Sequence, residues 1–189
     1  MRLSGCQTHN ANYNSRLAHH SPSGFSNNYP GREPDMHDFF RWQWNRLLKP
    51  KPEHRADLVS WQAVNLNQIH STQGRSATWL GHASVLIKSD GIHVLTDPIF
   101  SERASPVSWL GPKRIKPLPV DPANLPRIDA VVISHNHYDH LDLPSLKRLN
   151  SQAGGPPLFV VPLGNAELLK RQGISNVKAL DWWQRIPVK

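Results

Sequence analysis

From residue 77 onward, short apolar runs alternate with turn residues, a pattern that predicts strands interleaved with helices. Runs at 77–80 and 84–88 read as strands, and Asp90-Gly91 is a hairpin turn signal ahead of a return strand at 92–96. The apolar run Ala130-Val131-Val132-Ile133 predicts a buried strand over 129–134, and the patterns at 158–163 and 177–180 predict two more. Between them, Pro144 suits the first turn of a helix over 143–149, and a second helix over 165–172 ends at Gly173. Alternation of this kind defines the α/β class.

The region before residue 77 is patterned differently. A helix is expected over 35–48, stopped by Lys49-Pro50-Lys51-Pro52, with Phe39, Phe40, Trp42, Trp44, Leu47 and Leu48 as a packing face. Arg41 and Arg46 flank these aromatics, and a basic aromatic helix can also lie on a bilayer surface. Residues 1–34, rich in Asn, Ser, His and Gly, read as a flexible tether, which leaves 35–189 as the folded portion. A proline-rich loop over 97–119 is long enough to expect that it shapes a site.

Composition narrows the possibilities. A chain of 189 residues makes one domain or part of a larger one, and a single cysteine, Cys6, excludes an intramolecular disulfide. No apolar run approaches the roughly 18 residues of a membrane-spanning helix. The net charge of +8, with clusters around Arg46, Lys49, Lys51 and Arg55 and again at Lys113, Arg114 and Lys116, suits anionic partners such as phosphate head groups or nucleic acid. Leu3-Ser4-Gly5-Cys6 has the form of a bacterial lipobox, although only Met1 and Arg2 precede it. With an upstream signal, Cys6 would be lipidated and the protein held at the bacterial envelope membrane; without one, a cytoplasmic location is expected.

The chemistry concentrates in Ser134-His135-Asn136-His137-Tyr138-Asp139-His140-Leu141-Asp142, directly after the predicted buried strand. Side chains at i and i+2 of an extended segment share a face, so His135 and His137 can point at one ion. Asp139 and His140 can face a second ion once the chain turns. Imidazole and carboxylate are ligands that a borderline cation such as Zn²⁺ accepts, as do Mn²⁺ and Fe²⁺. Without a metal, packing three imidazoles and a carboxylate together leaves several polar groups needing partners.

With its flanking strings, this motif resembles the metallo-β-lactamase superfamily, and within it the branch of N-acyl-phosphatidylethanolamine-hydrolysing phospholipase D. Thr78-Trp79-Leu80-Gly81-His82-Ala83, Leu95-Thr96-Asp97-Pro98-Ile99-Phe100-Ser101, Gly111-Pro112-Lys113-Arg114 and Leu180-Asp181-Trp182-Trp183 carry the branch-level likeness. The resemblance implies two zinc ions, with His135 and His137 on one and Asp139 and His140 on the other. It gives Asp139 a catalytic role in orienting the nucleophilic hydroxide. Asp97 would fix ligand geometry from outside the metal shell, and His82 would line the site. The implied substrate is a phospholipid or other phosphodiester, with peripheral membrane association.

The same resemblance makes this chain the first half of an αββα sandwich, ending before the second half. No histidine follows His140, and the acidic residues beyond Asp142 are Glu167 and Asp181. The family's later ligands therefore have no counterpart here, and one zinc or none is expected on this chain. Three functional expectations follow: a zinc phosphodiesterase carried as an incomplete chain, a catalytically silent fragment binding at most one metal, and a nuclease-type member. The flanking strings favour the lipid branch, so nucleic acid is not the expected partner. Half a sandwich also leaves a sheet face uncovered, from which self-association is expected.

Overall fold

The computed structural model describes residues 9–27, 29, 31, 35–49, 56–71 and 74–188, and Cys6 lies outside them. The chain divides into two compact units, Met1–Arg55 and Ala56–Lys189.

In the first unit, β1 (His20–Ser21) and β2 (Gly24–Phe25) form a small antiparallel hairpin. The Asn10 side-chain amide ties it down, donating to Ser21 O at 3.1 Å and Gly24 O at 2.9 Å. Part of the tract expected as a tether thus has local order, made by side-chain to backbone bonds that composition does not reveal. Helix α1 (Met36–Leu48) begins with a capping box, in which the Asp35 side chain accepts from Asp38 N at 2.8 Å. None of its residues is buried, so the expected packing face is open. Arg46 lies 5.4 Å over the Trp42 ring, a cation–π contact.

The second unit is a six-stranded sheet. After α2 (Leu66–Ser71), it runs in the order β3 (Ser76–Gly81), β4 (Ser84–Ser89), β5 (Ile92–Thr96), β6 (Ala130–Val132), β7 (Leu158–Pro162) and β8 (Val177–Leu180). The first three strands form an antiparallel meander, and β5 through β8 are parallel. Asp90 and Gly91 both adopt positive φ, 52° and 82°, as a two-residue type I′ hairpin requires. Parallel neighbours need crossovers, supplied by α3 (Leu143–Asn150) and α4 (Ala166–Arg171). Helix α4 ends in a Schellman motif: Gly173 at φ 83° donates to Lys170 O, and Ile174 N donates to Leu169 O.

The core lies on one face of this sheet, where Leu86, Leu95, Val131 and Phe159 pair in register and pack with Leu146, Leu149 and Leu169 of the helices. The long connection from β5 to β6 is folded back on itself. Arg103 bridges Lys113, Ala104 N donates to Pro112 O and Arg114 N to Glu102 O. At Gly111, with φ 101°, a Cβ would come within 2.7 Å of the Ser105 Cβ, so this tongue closes only around glycine. Val64 N and the Trp61 indole N–H fasten its end through Pro119 O and Pro117 O.

Candidate metal centre

Parallel strands deliver their loops to one edge, and ligands in open α/β sheets bind at the carboxyl ends of the strands. Here β5 ends into Asp97 and β6 ends into Ser134, neighbours because Thr96 pairs with Val132 and Asp97 N donates to Val132 O at 2.9 Å. The histidine-bearing loop leaves from this point and returns into α3. Its turn is closed by His140 N and Leu141 N, both donating to His137 O.

Asp97 organises the loop's first residues. Its Oδ1 accepts from Ser134 N at 2.7 Å, and its Oδ2 accepts from Ser134 Oγ at 2.7 Å and from His140 Nδ1 at 2.9 Å. The residue itself has φ 36°, an uncommon conformation for a side chain other than glycine. Ser84 clamps that conformation: its buried Oγ donates to Asp97 O at 2.8 Å and accepts from Ile99 N at 3.1 Å.

These bonds assign the imidazole tautomers. Ser134 Oγ spends its proton on Asp97, so at 2.9 Å it accepts from His135 Nδ1, and His140 Nδ1–H goes to Asp97. Both rings then keep their Nε2 lone pairs for another partner. A histidine held at one nitrogen and offering the other is the usual state of a metal ligand.

The spacing of those lone pairs suits a cation. His135 Nε2 and His137 Nδ1 are 3.1 Å apart, and Asp139 Oδ2 and His140 Nε2 are 3.5 Å apart. Two ligand atoms about 2.0–2.1 Å from a tetrahedral ion lie about 3.3 Å from each other. The His135 and His140 ring centroids are only 4.0 Å apart, so the two ligand pairs are adjacent. His82 reaches in from the β3–β4 turn, with Nε2 2.9 Å from Asp139 Oδ2. Burial pushes the Asp139 carboxyl up, but hydrogen bonds from its own backbone and from His82, with the charges of His140 and His82, outweigh it. Its pKa lies below the ordinary carboxylate value.

A second carboxylate braces the loop from behind. Asp142, at the start of α3, does not cap the helix; it accepts from Ser101 N at 3.1 Å and Ser101 Oγ at 2.8 Å, and also from Ser145 Oγ. Arg114 holds the same strand exit, donating to Ile99 O at 2.7 Å and Ser101 O at 3.2 Å. Burial lowers the Arg114 pKa from its ordinary value, against the opposing charge of Asp142. All of the ligand residues read from the motif, with Asp97 and His82, therefore meet at one edge. Ser84, Ser134, Arg114 and Asp142 carry no role in the sequence reading, although the quoted motifs contain the last three, because a serine beside a histidine or an aspartate before a helix carries no distinguishing signal.

A β-lactamase superfamily domain model matches residues 93–189, slightly more than half of the chain. The chain belongs to the β-lactamase superfamily, and the matched stretch contains the histidine-rich loop and strands β5 to β8 almost whole. Among curated relatives, the N-acyl-phosphatidylethanolamine-hydrolyzing phospholipase D 1 of Caenorhabditis elegans is 42% identical over 125 residues, 63% of this chain and 35% of the relative. The mitochondrial enzyme of the same name from Saccharomyces cerevisiae is 39% identical over 59% of this chain and 23% of its own length. A UPF0173 metal-dependent hydrolase of Aeropyrum pernix is 31% identical over 52% of this chain and 36% of its own length. The chain thus spans about a third or less of the phospholipase-named relatives it matches. Among solved structures, CmlA, a diiron β-hydroxylase from Streptomyces venezuelae, aligns with TM-score 0.47 and 25% identity, covering 63% of this chain and 23% of that one.

Proposed function

We propose that this chain carries the first four metal ligands of a zinc-dependent phosphodiesterase of phospholipase D type, acting on N-acylated phosphatidylethanolamine or a similar lipid. One observation carries the reading: His135, His137, Asp139 and His140 gather as two adjacent ligand pairs, with Asp97 and Ser134 fixing the lone pairs that face a cation. The identity of 42% to a phospholipase D of that specificity supports the substrate class.

In this reading His135 and His137 hold one cation, and Asp139 and His140 hold a second. A bound divalent cation supplies Lewis acidity toward a phosphodiester oxygen and makes water nucleophilic at neutral pH. The chain's own part is orientation. Asp97 keeps His140 turned with Nε2 outward, Ser134 does the same for His135, and Asp139 orients the nucleophile. The half-exposed position of Asp139 and His82 leaves the ligands open to a substrate as bulky as a lipid head group. Helix α1, with Phe40, Trp44 and Leu47 exposed beside Arg41 and Arg46, suits peripheral docking to an anionic bilayer. Envelope localisation through Cys6 belongs to the same reading.

The decisive assay is release of phosphatidic acid from N-acyl-phosphatidylethanolamine by the protein expressed from its complete reading frame. Loss of turnover with a chelator and with His135→Ala is expected; activity surviving either treatment would overturn the proposal.

A second reading concerns these 189 residues taken alone: a chain that binds metal and turns nothing over. The histidine loop by itself favours it, because His135–His137 and Asp139–His140 each give a cation two ligands, fewer than the three protein ligands usual at a catalytic zinc. Hydrolysis by the purified chain well above a His137→Ala control would refute it.

A further inference from the structure

His82 occupies the β3–β4 turn in a conformation that a side chain seldom adopts, with φ 48° directly after Gly81 at φ 107°. The pairing of β3 with β4 shifts register between Trp79 and Gly81 to make room for this turn. The Trp79 indole N–H then locks it, donating to His82 O at 2.8 Å. Strain of this kind persists where the surroundings over-determine it, and it clusters at functional sites.

The turn closes the β3–β4 hairpin, and it carries the His82 side chain toward the histidine loop. The His82 side chain is about half exposed (49%), and its ring is directed at Asp139, 57 residues later in the chain. A solvent-exposed imidazole–carboxylate pair contributes little to stability, so the pair itself is a weak reason to hold a left-handed histidine in place.

The surroundings of the pair supply a stronger reason. His82, Asp139 and His140 each offer one ligand atom, and these atoms all lie within 4.8 Å of one another. His82 Nε2 is 2.9 Å, and His140 Nε2 3.5 Å, from the same Asp139 oxygen, which brackets the ligand separation of a tetrahedral site. The His82 and His140 rings are T-shaped with centroids 5.2 Å apart, so neither covers the other's nitrogen. His140 has its other nitrogen occupied by Asp97, and its tautomer is therefore set for coordination.

We propose that His82 is a metal ligand: this chain holds one divalent cation on His82, Asp139 and His140, with a remaining position open to water or substrate. This rests on the metal-holding reading of the histidine loop and adds a third ligand, from the opposite end of the antiparallel meander, to the Asp139–His140 pair. Three protein ligands make that position the tighter of the two, because His135 and His137 have no equivalent third partner among the described residues.

Scalar coupling across metal–nitrogen bonds tests the assignment directly. The whole chain, grown with isotope-labelled histidine and loaded with NMR-active cadmium, should show coupling from the metal to one ring nitrogen of His82 and one of His140. His82→Gln should abolish the His82 coupling and weaken cadmium binding at that position at least tenfold, with the His140 coupling still present to report a folded site. Coupling to His140 without coupling to His82 would overturn this inference alone and leave His82 as a hydrogen-bond partner of Asp139. Cadmium coupled to no histidine would overturn both this inference and the metal-holding reading beneath it.

Discussion

Asp97 Oδ2 accepts a hydrogen bond from His140 Nδ1 at 2.9 Å, joining the exits of two parallel strands across 43 residues of chain. The bond fixes which His140 nitrogen faces the proposed cation position, and the same carboxylate holds Ser134 by two further bonds. Asp97→Asn keeps the shape but replaces one accepting oxygen with an N–H₂ group, which cannot accept from both Ser134 Oγ and His140 Nδ1. Loss of such an outer partner commonly lowers metal affinity about 10- to 100-fold. A chelator-competition titration with zinc should show a loss of that size, with the far-ultraviolet circular dichroism unchanged. Wild-type affinity in the variant would show that His140 does not need Asp97.

Ser84 is the least conspicuous member of this arrangement, and its removal should be felt in stability. Its buried hydroxyl bridges Asp97 O and Ile99 N around a strained turn. Ser84→Ala leaves the buried Ile99 N–H without that acceptor, and an unsatisfied buried donor costs about 1–3 kcal/mol. A urea denaturation midpoint lowered to match, at unchanged slope, is the expected result. An unchanged midpoint would mean that the Asp97 turn holds itself.

The elements legible in the sequence are those whose cause is local. Asp90-Gly91 announces its hairpin because both positions need positive φ, and Gly173 announces the end of α4 for the same reason. The run before His135 reads as a strand because β6 is buried between two parallel neighbours. Helix α2, with Ile69 as its buried residue, is too short to show a helical period. The roles of Ser84, Trp79 and Ser134 were illegible for another reason. Ser84 and Ser134 act on partners 13 to 37 residues away, or, like Trp79, on a neighbour's backbone, and only sheet register brings such groups into reach. The order in residues 9–27 escaped similarly, since Asn10 acts on carbonyls 11 and 14 residues later.

His93, outside the candidate metal centre, should make stability depend on pH. Burial lowers its pKa from the ordinary 6.5; Lys88 and His70 add to this, while Asp129 and a hydrogen bond to the Arg127 backbone oppose it. The unfolded chain therefore takes up this proton at a higher pH than the folded one, and stability falls as pH drops from above 6.5 through the folded value. His93→Gln should flatten that part of the stability curve between about pH 7.5 and 5, measured by urea denaturation against wild type. Parallel curves for the two proteins would remove His93 from the account.

The last prediction concerns the sheet face opposite the core. Trp79, Val85, Thr96, Val132, Val160 and Lys178 lie in one cross-strand row, and Ala77, Ile87, Val94, Ala130 and Leu158 in the next. Cross-strand partners share a face, so these rows make a largely apolar surface running across five strands or more. Trp79 is 61% exposed, and Ile87 and Val132 are 37% exposed. An apolar sheet face of this extent favours association, and a second copy of the chain presents the same complementary surface. Sedimentation velocity on the purified chain should therefore show concentration-dependent association in the micromolar range. Ile87→Lys combined with Val132→Lys places two like charges on that surface without altering a metal ligand or its hydrogen-bonding side chains. The pair should shift the population toward monomer while zinc affinity stays at the wild-type value. A wild-type chain that sediments as a monomer throughout the range, or a double variant that associates as strongly as wild type, would remove this face as the contact.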